Sequence, residues 1–168
     1  MNFRDLTADD IEVRVQSVKA NGVVLLLYKT ARTDMTILDE AVGAENWQDK
    51  FYEVKGIMFC SIGINTNYYI PESVDRWVWK SDAGTESNQD AEKGNASDAR
   101  KRAGFAWGIG RELYTSPFIW IGADKCNIAN GKCYDKFAVE KIKIENKKIV
   151  GLAIVNVTTK QRCFVWQA

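Results

Sequence analysis

The chain contains no histidine, and this absence excludes several familiar chemistries. Histidine is the most common general base, the usual partner of a nucleophilic serine or cysteine, and the most common zinc ligand. The four cysteines, Cys60, Cys126, Cys133 and Cys163, are dispersed and form no Cys-x-x-Cys pair. We therefore expect no metal site and no cofactor. We also expect reduced thiols, although Cys126 and Cys133 could pair.

Phosphate-binding loops and long apolar runs are also missing. No Gly-x-x-x-x-Gly-Lys-Ser/Thr segment is present, so ATP hydrolysis of the P-loop kind is not expected. Gly108-Ile109-Gly110 is too short for a dinucleotide fingerprint and lies late in a predicted helix. No apolar run approaches the roughly 20 residues that cross a bilayer, and the first residues do not resemble a signal peptide. These features predict a soluble intracellular protein without a membrane partner.

Length and composition predict one domain. The 168 residues are 46% hydrophobic, which is enough to form a substantial core, and the length argues against two domains. We therefore expect residues 1–168 to fold as a single unit.

Periodicity and turn signals predict an α+β fold with segregated helices and strands. Thr7-Ala8-Asp9-Asp10 has N-cap chemistry, which leaves a short helix or an entry strand open, and we favour a helix that ends near Gln16. A polar loop, Ser81 to Asp90, is expected to be mobile, and Ile119 to Ile121 to be tucked against the core. The remaining predicted elements are helices at 35–42 and 93–114 and strands at 23–28, 47–54, 57–64, 76–80, 137–145, 148–157 and 162–166.

The predicted helix from Lys93 to Tyr114 concentrates positive charge. Between Lys93 and Arg111 the chain has five basic residues and one acid, although its net charge is only +1. Concentrated charge of one sign indicates an anionic partner. The basic residues of this segment are Lys93, Arg100, Lys101, Arg102 and Arg111.

Two interpretations of this charge are open. A charged run on a helix is most often a solvated face. However, three consecutive cations at 100–102 repel one another and have few acidic partners at helical spacing, apart from Asp98 for Arg102. Phe105 and Trp107 follow them, and aromatic rings beside cations suit single-stranded bases and phosphates, although both rings are more often core residues. The second interpretation predicts a nucleic-acid-binding helix.

Three segments carry a resemblance to a known family. Ser97-Asp98-Ala99-Arg100-Lys101-Arg102-Ala103 with Trp107-Gly108-Ile109-Gly110-Arg111-Glu112-Leu113-Tyr114 resembles the long helix of the Rad fifty-two-like single-strand annealing proteins, especially their short phage and prophage members. Leu38 to Trp47 resembles the helix-to-strand segment of the same family, and Asp10 to Gln16 is a weaker match. The three segments follow in the order of the family.

The resemblance implies a fold and an activity. The fold is an antiparallel β-meander packed on one long helix, with short N-terminal helices, a core of about residues 8–121 and additional C-terminal β-strands at about 137–166. Family members assemble into rings or arcs and anneal single-stranded DNA without ATP in homologous recombination and repair. The implied protein is a non-enzymatic homo-oligomer of phage or prophage origin in the bacterial cytoplasm. A partner exonuclease or a host single-strand-binding protein is a further implied partner.

The resemblance also assigns DNA-binding residues. The basic pair on the family's helix falls on Lys101 and Arg102, and its basic residue near the first helix falls on Arg14. Arg100, Lys93 and Arg111 are further candidates. Eukaryotic members carry another cation at the position of Phe105, so this chain departs from them there.

Two other functions are compatible with the sequence. Asp39 with Glu53-Val54-Lys55 has the layout of a metal-dependent nuclease, in which two carboxylates hold Mg²⁺ and a lysine orients water. The alternative is a protein that coats single-stranded nucleic acid without annealing it. Addition of a complementary strand distinguishes an annealing protein from a coating protein, because a coating protein slows the pairing of the two strands.

Overall fold

The computed structural model describes residues 1–85 and 91–168, together with their side chains except those of residues 91–93. The described chain is α+β and consists mainly of antiparallel strands, as its periodicity predicts. Its helices are α1 (Ala31–Val42) and α2 (Ala91–Trp107). In this part of the chain, neither helix is long and apolar enough to cross a membrane. The strands are β1 (Ile11–Lys19), β2 (Gly22–Lys29), β3 (Trp47–Val54), β4 (Ile57–Asn65), β5 (Trp77–Ala83), β6 (Ile119–Gly122), β7 (Phe137–Glu145), β8 (Lys148–Asn156) and β9 (Gln161–Gln167).

The chain divides into two compact units, whereas its length alone predicts one domain. The first unit comprises Met1–Arg4 and Thr30–Gly110, and the second comprises Asp5–Lys29 and Arg111–Ala168. Each unit has its own antiparallel sheet: strands β3, β4 and β5 form one, and the other six strands form the second.

The first unit is built on the hairpin of β3 and β4, which the sequence predicts correctly. Trp47 pairs with Ile64 at one end and Val54 with Ile57 at the other, and β5 extends the sheet beside β4. Helix α2 contacts β4 and β5, and the Trp107 indole donates a hydrogen bond of 2.9 Å to the carbonyl of Ile62. The side chains buried in this unit include Ile37, Leu38, Cys60, Ile62, Ile64, Ala99 and Ala103.

Helix α2 is shorter than the sequence predicts. We expected it to reach Tyr114, but it ends at Trp107. Gly108 and Gly110 have φ of 98° and 74°, and this left-handed backbone conformation ends the helix. The next residues form a separate 3₁₀ turn at Arg111–Thr115, so Arg111 does not lie on the helix.

The predicted N-terminal helix is wrong. Thr7 and Asp10 close a single 3₁₀ turn, in which the backbone N–H of Thr7 donates to Asp10 Oδ2 at 2.7 Å. From Ile11 onward the chain is strand β1, because its β-branched residues alternate with polar ones at the period of a strand. N-cap chemistry therefore marks a turn here, and only α1 is a short N-terminal helix.

The second unit is a six-stranded sheet in the order β6, β2, β1, β7, β8, β9. Strand β2 lies inside the sheet, as its apolar run predicts, and the three predicted C-terminal strands are β7 to β9. The predicted apolar segment around Trp120 is edge strand β6, whose Ile119 and Ile121 are buried. The two edge strands, β6 and β9, contact each other, so the sheet curls on itself.

The expected loop from Ser81 to Asp90 is partly wrong. Residues 81–83 complete strand β5, where Ser81 pairs with Ser61 and Ala83 with Phe59. Residues 86–90 of this expected loop lie outside the described residues.

Candidate nucleic-acid interface

Two cations of α2, Arg100 and Arg102, each lie near one acidic residue on the sheet of the first unit. Strand register places Asp49 and Lys80 on either side of Ile62, and Phe51 and Asp82 on either side of Cys60. Because Cys60 and Ile62 are fully buried beneath α2, their neighbours in register share the helix side of the sheet. One carboxylate therefore lies on each side of the helix.

Arg100 forms a structural ion pair with one of these carboxylates. Its Nη2 lies 2.5 Å from Asp49 Oδ2, and the two side chains are only 23% and 21% exposed. The guanidinium also lies over the Phe51 ring, 5.2 Å from its centroid. Such a pair resists separation, because either partner alone would be a half-buried charge. Arg100, a candidate for DNA binding from the sequence, thus holds α2 to β3.

Arg102 lies on the other flank of the helix and is held more loosely. Its Nε is 3.6 Å from Asp82 Oδ2, which is too long for a good hydrogen bond. The side chains are 43% and 38% exposed, and ion pairs of this kind contribute little to stability. Lys101 is next to it and is half-buried. Arg102 is therefore the more weakly held of the two arginines.

The remaining sequence candidates are distributed between the units. Lys93 belongs to α2, but its side chain is outside the described set. Arg111 is exposed in the second unit, and so is Arg14. Arg14 belongs to the second unit, whereas Lys101 and Arg102 belong to the first. The grouping of the three that the resemblance implies stays a prediction.

Arg14 lies on an exposed stretch of β1 beside a tyrosine. Its guanidinium is 5.6 Å from the centroid of the Tyr28 ring. The Tyr28 hydroxyl donates to Glu12 at 2.6 Å, and this hydrogen bond, helped by burial, raises the pKa of Tyr28 to about 12. Arg14 therefore has an acid and an aromatic ring near it on the same surface.

Trp107 is a structural residue of the helix end. Its indole is hydrogen-bonded to the carbonyl of Ile62, as described above, and its ring lies 4.9 Å below Lys80 Nζ. The same ammonium group donates to the carbonyl of Ala106 at 3.2 Å. Lys80 and Trp107 thus fix the last turn of α2 to the sheet, and the expectation that Trp107 is a stacking platform is not supported by its contacts.

The side of the same sheet that faces away from α2 carries aromatic residues that were not predicted from the sequence to bind a ligand. Strand alternation places Tyr52, Phe59, Trp77 and Trp79 on the side opposite α2, with Lys50 among them. Hydrogen bonds from neighbouring serines lower the pKa of Tyr52. The signal was present as Trp77-Val78-Trp79 in a predicted strand, since residues two apart share a face.

The nuclease arrangement does not assemble. The Trp47 indole donates to Asp39 Oδ1 at 2.7 Å, which places Asp39 at the start of β3. Glu53 lies six residues further along that strand, about 20 Å away at the rise of a β-strand. Two carboxylates so far apart cannot share one metal ion, and Lys55 lies beyond Glu53 in the hairpin turn. Among the described residues, no three Cys, Asp or Glu side chains cluster as metal ligands.

Comparison with protein-family models, with curated proteins and with solved structures finds no match to this chain.

Proposed function

We propose that the chain is an ATP-independent single-strand DNA binding and annealing protein of the Rad fifty-two-like kind, acting in recombination and repair. The observation that carries the proposal is the loosely paired Arg102 on α2, whose side chain is 43% exposed and which lies next to Lys101. The arrangement of the first unit supports it, because the helix follows the meander β3 to β5 in sequence and contacts that meander. The resemblance implies a β-meander packed on one long helix, and we propose strands β3 to β5 and helix α2 for these two parts.

Phosphate binding is assigned to Lys101 and Arg102. A phosphate can replace the carboxylate of Asp82 at modest cost, since both side chains of that pair are partly exposed and lie too far apart for a good hydrogen bond. The planar guanidinium suits bidentate contacts to phosphate oxygens. Arg100 is removed from the DNA-binding set, because its ion pair with Asp49 is shorter and more buried.

Annealing needs a grip that leaves the base edges free to test a second strand. Contacts to the phosphate backbone supply affinity without sequence information. Two cations per chain bind weakly on their own, and repetition around a homo-oligomeric ring or arc would multiply them. Oligomerisation in the cytoplasm of a bacterial host, beside an exonuclease or a single-strand-binding protein, therefore belongs to the proposal.

The site assignment is tested with the double variant Lys101→Ala/Arg102→Ala. We expect this variant to lose annealing of complementary oligonucleotides while its mass in solution and its urea midpoint stay near those of the wild type. The matched control is Lys132→Ala/Lys148→Ala, which removes the same charge from exposed positions of the second unit. Equal annealing by the two double variants would contradict the assignment.

A further inference from the structure

The sheet of the first unit has a second surface, which we call the open face: the side of β3, β4 and β5 opposite α2. Residues that pair directly across antiparallel strands point to the same side. Cys60, Ile62 and Ile64 are buried on the helix side, so the alternate residues of β4 point away from it. The open face is formed by Lys50, Tyr52, Phe59, Ser61, Gly63, Trp77, Trp79 and Ser81.

Flat aromatic rings dominate the open face. Tyr52 and Phe59 are stacked, with centroids 5.5 Å apart and planes at 13°. Trp77 and Trp79 form a second stacked pair, with centroids 6.3 Å apart and planes at 30°. The Tyr52 side chain is 41% exposed, and the other three rings are partly exposed. The two pairs therefore present ring surface to an incoming ligand.

Gly63 allows the Trp79 indole to lie flat on the sheet. A Cβ atom at this position would lie 2.7 Å from three atoms of the Trp79 ring, which is closer than packed atoms approach. No side chain at position 63 can therefore coexist with the ring where it is. Glycine at position 63 of β4 thus leaves the space in which the Trp79 ring of β5 lies.

The open face is also selective in charge. Lys50 Nζ lies 4.3 Å from the centroid of the Trp79 ring. Within the three described strands, the acidic residues Asp49, Glu53 and Asp82 all alternate to the helix side. The polar groups beside the rings are hydroxyls: Ser61 and Ser81 lie 2.5 Å apart, and Ser61 Oγ lies 3.4 Å from the Tyr52 hydroxyl.

We propose that the open face binds the bases of a single-stranded nucleic acid, which stack on Trp77, Trp79 and Tyr52 while Lys50 contacts the adjoining phosphate. Unpaired bases offer a π-face to aromatic rings, and such stacking tolerates any sequence. A cation and hydroxyls, with no carboxylate from the three strands on this face, complement a polyanion. This inference deepens the proposed function and rests on it for the identity of the ligand as DNA.

The test compares two labelled ligands of equal length and charge: a (dT)₂₀ oligonucleotide and the same backbone without bases. Fluorescence anisotropy gives the dissociation constant of each for the full chain. We expect (dT)₂₀ to bind at least about tenfold more tightly, the effect of one stacked base. In Trp77→Leu/Trp79→Leu this preference should fall several-fold, with Tyr52 left as a stacking ring, while the affinity for the abasic backbone stays unchanged.

Three control variants keep the result interpretable. Trp79→Phe retains a ring and should retain most of the base preference, which separates stacking from a general loss of packing. Trp166→Leu removes an indole from the second unit and should leave the preference unchanged. Lys101→Ala/Arg102→Ala should weaken both ligands alike, since it removes phosphate contacts only.

Three outcomes would overturn the inference. The first is equal affinity of the wild type for the two ligands, and the second is an undiminished preference in the double leucine variant. The third is a double leucine variant that keeps its base preference but has a different mass in solution from the wild type. That result would show that the open face is a contact between copies of the chain. Failure of the proposed function gives a different result, in which base-dependent binding is present but complementary strands are not annealed.

Discussion

Arg100 and Asp49 form an ion pair of 2.5 Å that ties helix α2 to strand β3. Arg102, two residues later, has a pair of 3.6 Å with Asp82 on strand β5. Two cations of one basic run thus differ in how they are held: Arg100 fixes the helix to the sheet, whereas Arg102 is more exposed and more loosely paired. The difference follows from exposure, because a half-buried pair is screened less by solvent than an exposed one.

Replacement of Arg100 should destabilise the first unit. We expect Arg100→Ala to lower the free energy of unfolding by about 2 kcal/mol, because Asp49 is left as a half-buried charge without its partner. Arg102→Ala should lower it by less than about 1 kcal/mol, since its pair is exposed. Urea denaturation of the two variants measures both values, and equal losses would contradict the division of roles.

Removal of the carboxylate that competes for Arg102 should strengthen DNA binding. Asp82→Asn keeps the shape of the side chain but frees Arg102, so affinity for (dT)₂₀ should rise a few-fold, the effect of a surface ion pair of about 0.5–1 kcal/mol. Glu140→Gln is the control, because it changes the net charge equally and frees Arg162 in the second unit. If both variants gain the same affinity, net charge alone is responsible.

Gly63→Ala should displace the Trp79 ring. The added methyl group overlaps the indole, so we expect a stability loss of about 1–3 kcal/mol and a reduced preference for (dT)₂₀ over the abasic backbone. Gly151→Ala is the control, because its nearest atoms, Lys143 Cβ and the Trp166 carbonyl oxygen, lie at 3.3 and 4.0 Å in the second unit. An unchanged base preference in Gly63→Ala would show that base binding does not depend on the position of the Trp79 ring on the sheet.

Alkaline pH should lower the free energy of unfolding, because the thiol of Cys60 is buried. Burial, followed by the nearby charge of Asp49, raises the pKa of Cys60 to about 12 from its ordinary value of 9.0. Between these values the unfolded chain loses a proton that the native state keeps, so stability falls by about 1.4 kcal/mol per pH unit from this group. Urea midpoints at pH 8 to 10.5 measure the slope.

The control for this pH dependence is Cys60→Ala. The variant is less stable at every pH because it leaves a cavity, but its stability should fall less steeply above pH 9. Buried Cys126 and Cys163, whose pKa values are also raised, contribute to the slope that is left. A slope unchanged by Cys60→Ala would show that Cys60 does not titrate as its burial implies.

Much of the fold follows from local sequence. Hairpins such as Trp47–Val54 with Ile57–Asn65 are predicted because alternation and the turn at Lys55-Gly56 agree. The beginning of β1 is predicted wrongly, because Thr7 and Asp10 have the same cap chemistry in a single turn as at a helix start. The end of α2 depends on the conformation of Gly108, since glycine is tolerated in a helix and also ends one.

The site is less predictable than the fold. The basic run is visible in the sequence, but the partners that separate Arg100 from Arg102 lie on strands 51 and 20 residues earlier, at Asp49 and Asp82. The open face requires the register of three strands, because Tyr52, Phe59 and Trp79 come together only through cross-strand pairing. The pairing of Tyr52 with Phe59 follows from the predicted hairpin, but the register of β5, which adds Trp79, has no local sequence signal.

We propose above that this chain anneals single strands without ATP. The most direct measurement is the rate at which two complementary oligonucleotides pair, followed by energy transfer between terminal dyes, with and without the purified protein and with no nucleotide present. We expect the protein to accelerate pairing at ratios that cover both strands. Pairing that is unchanged or slowed by the protein would contradict it, and slowed pairing would indicate a coating protein instead.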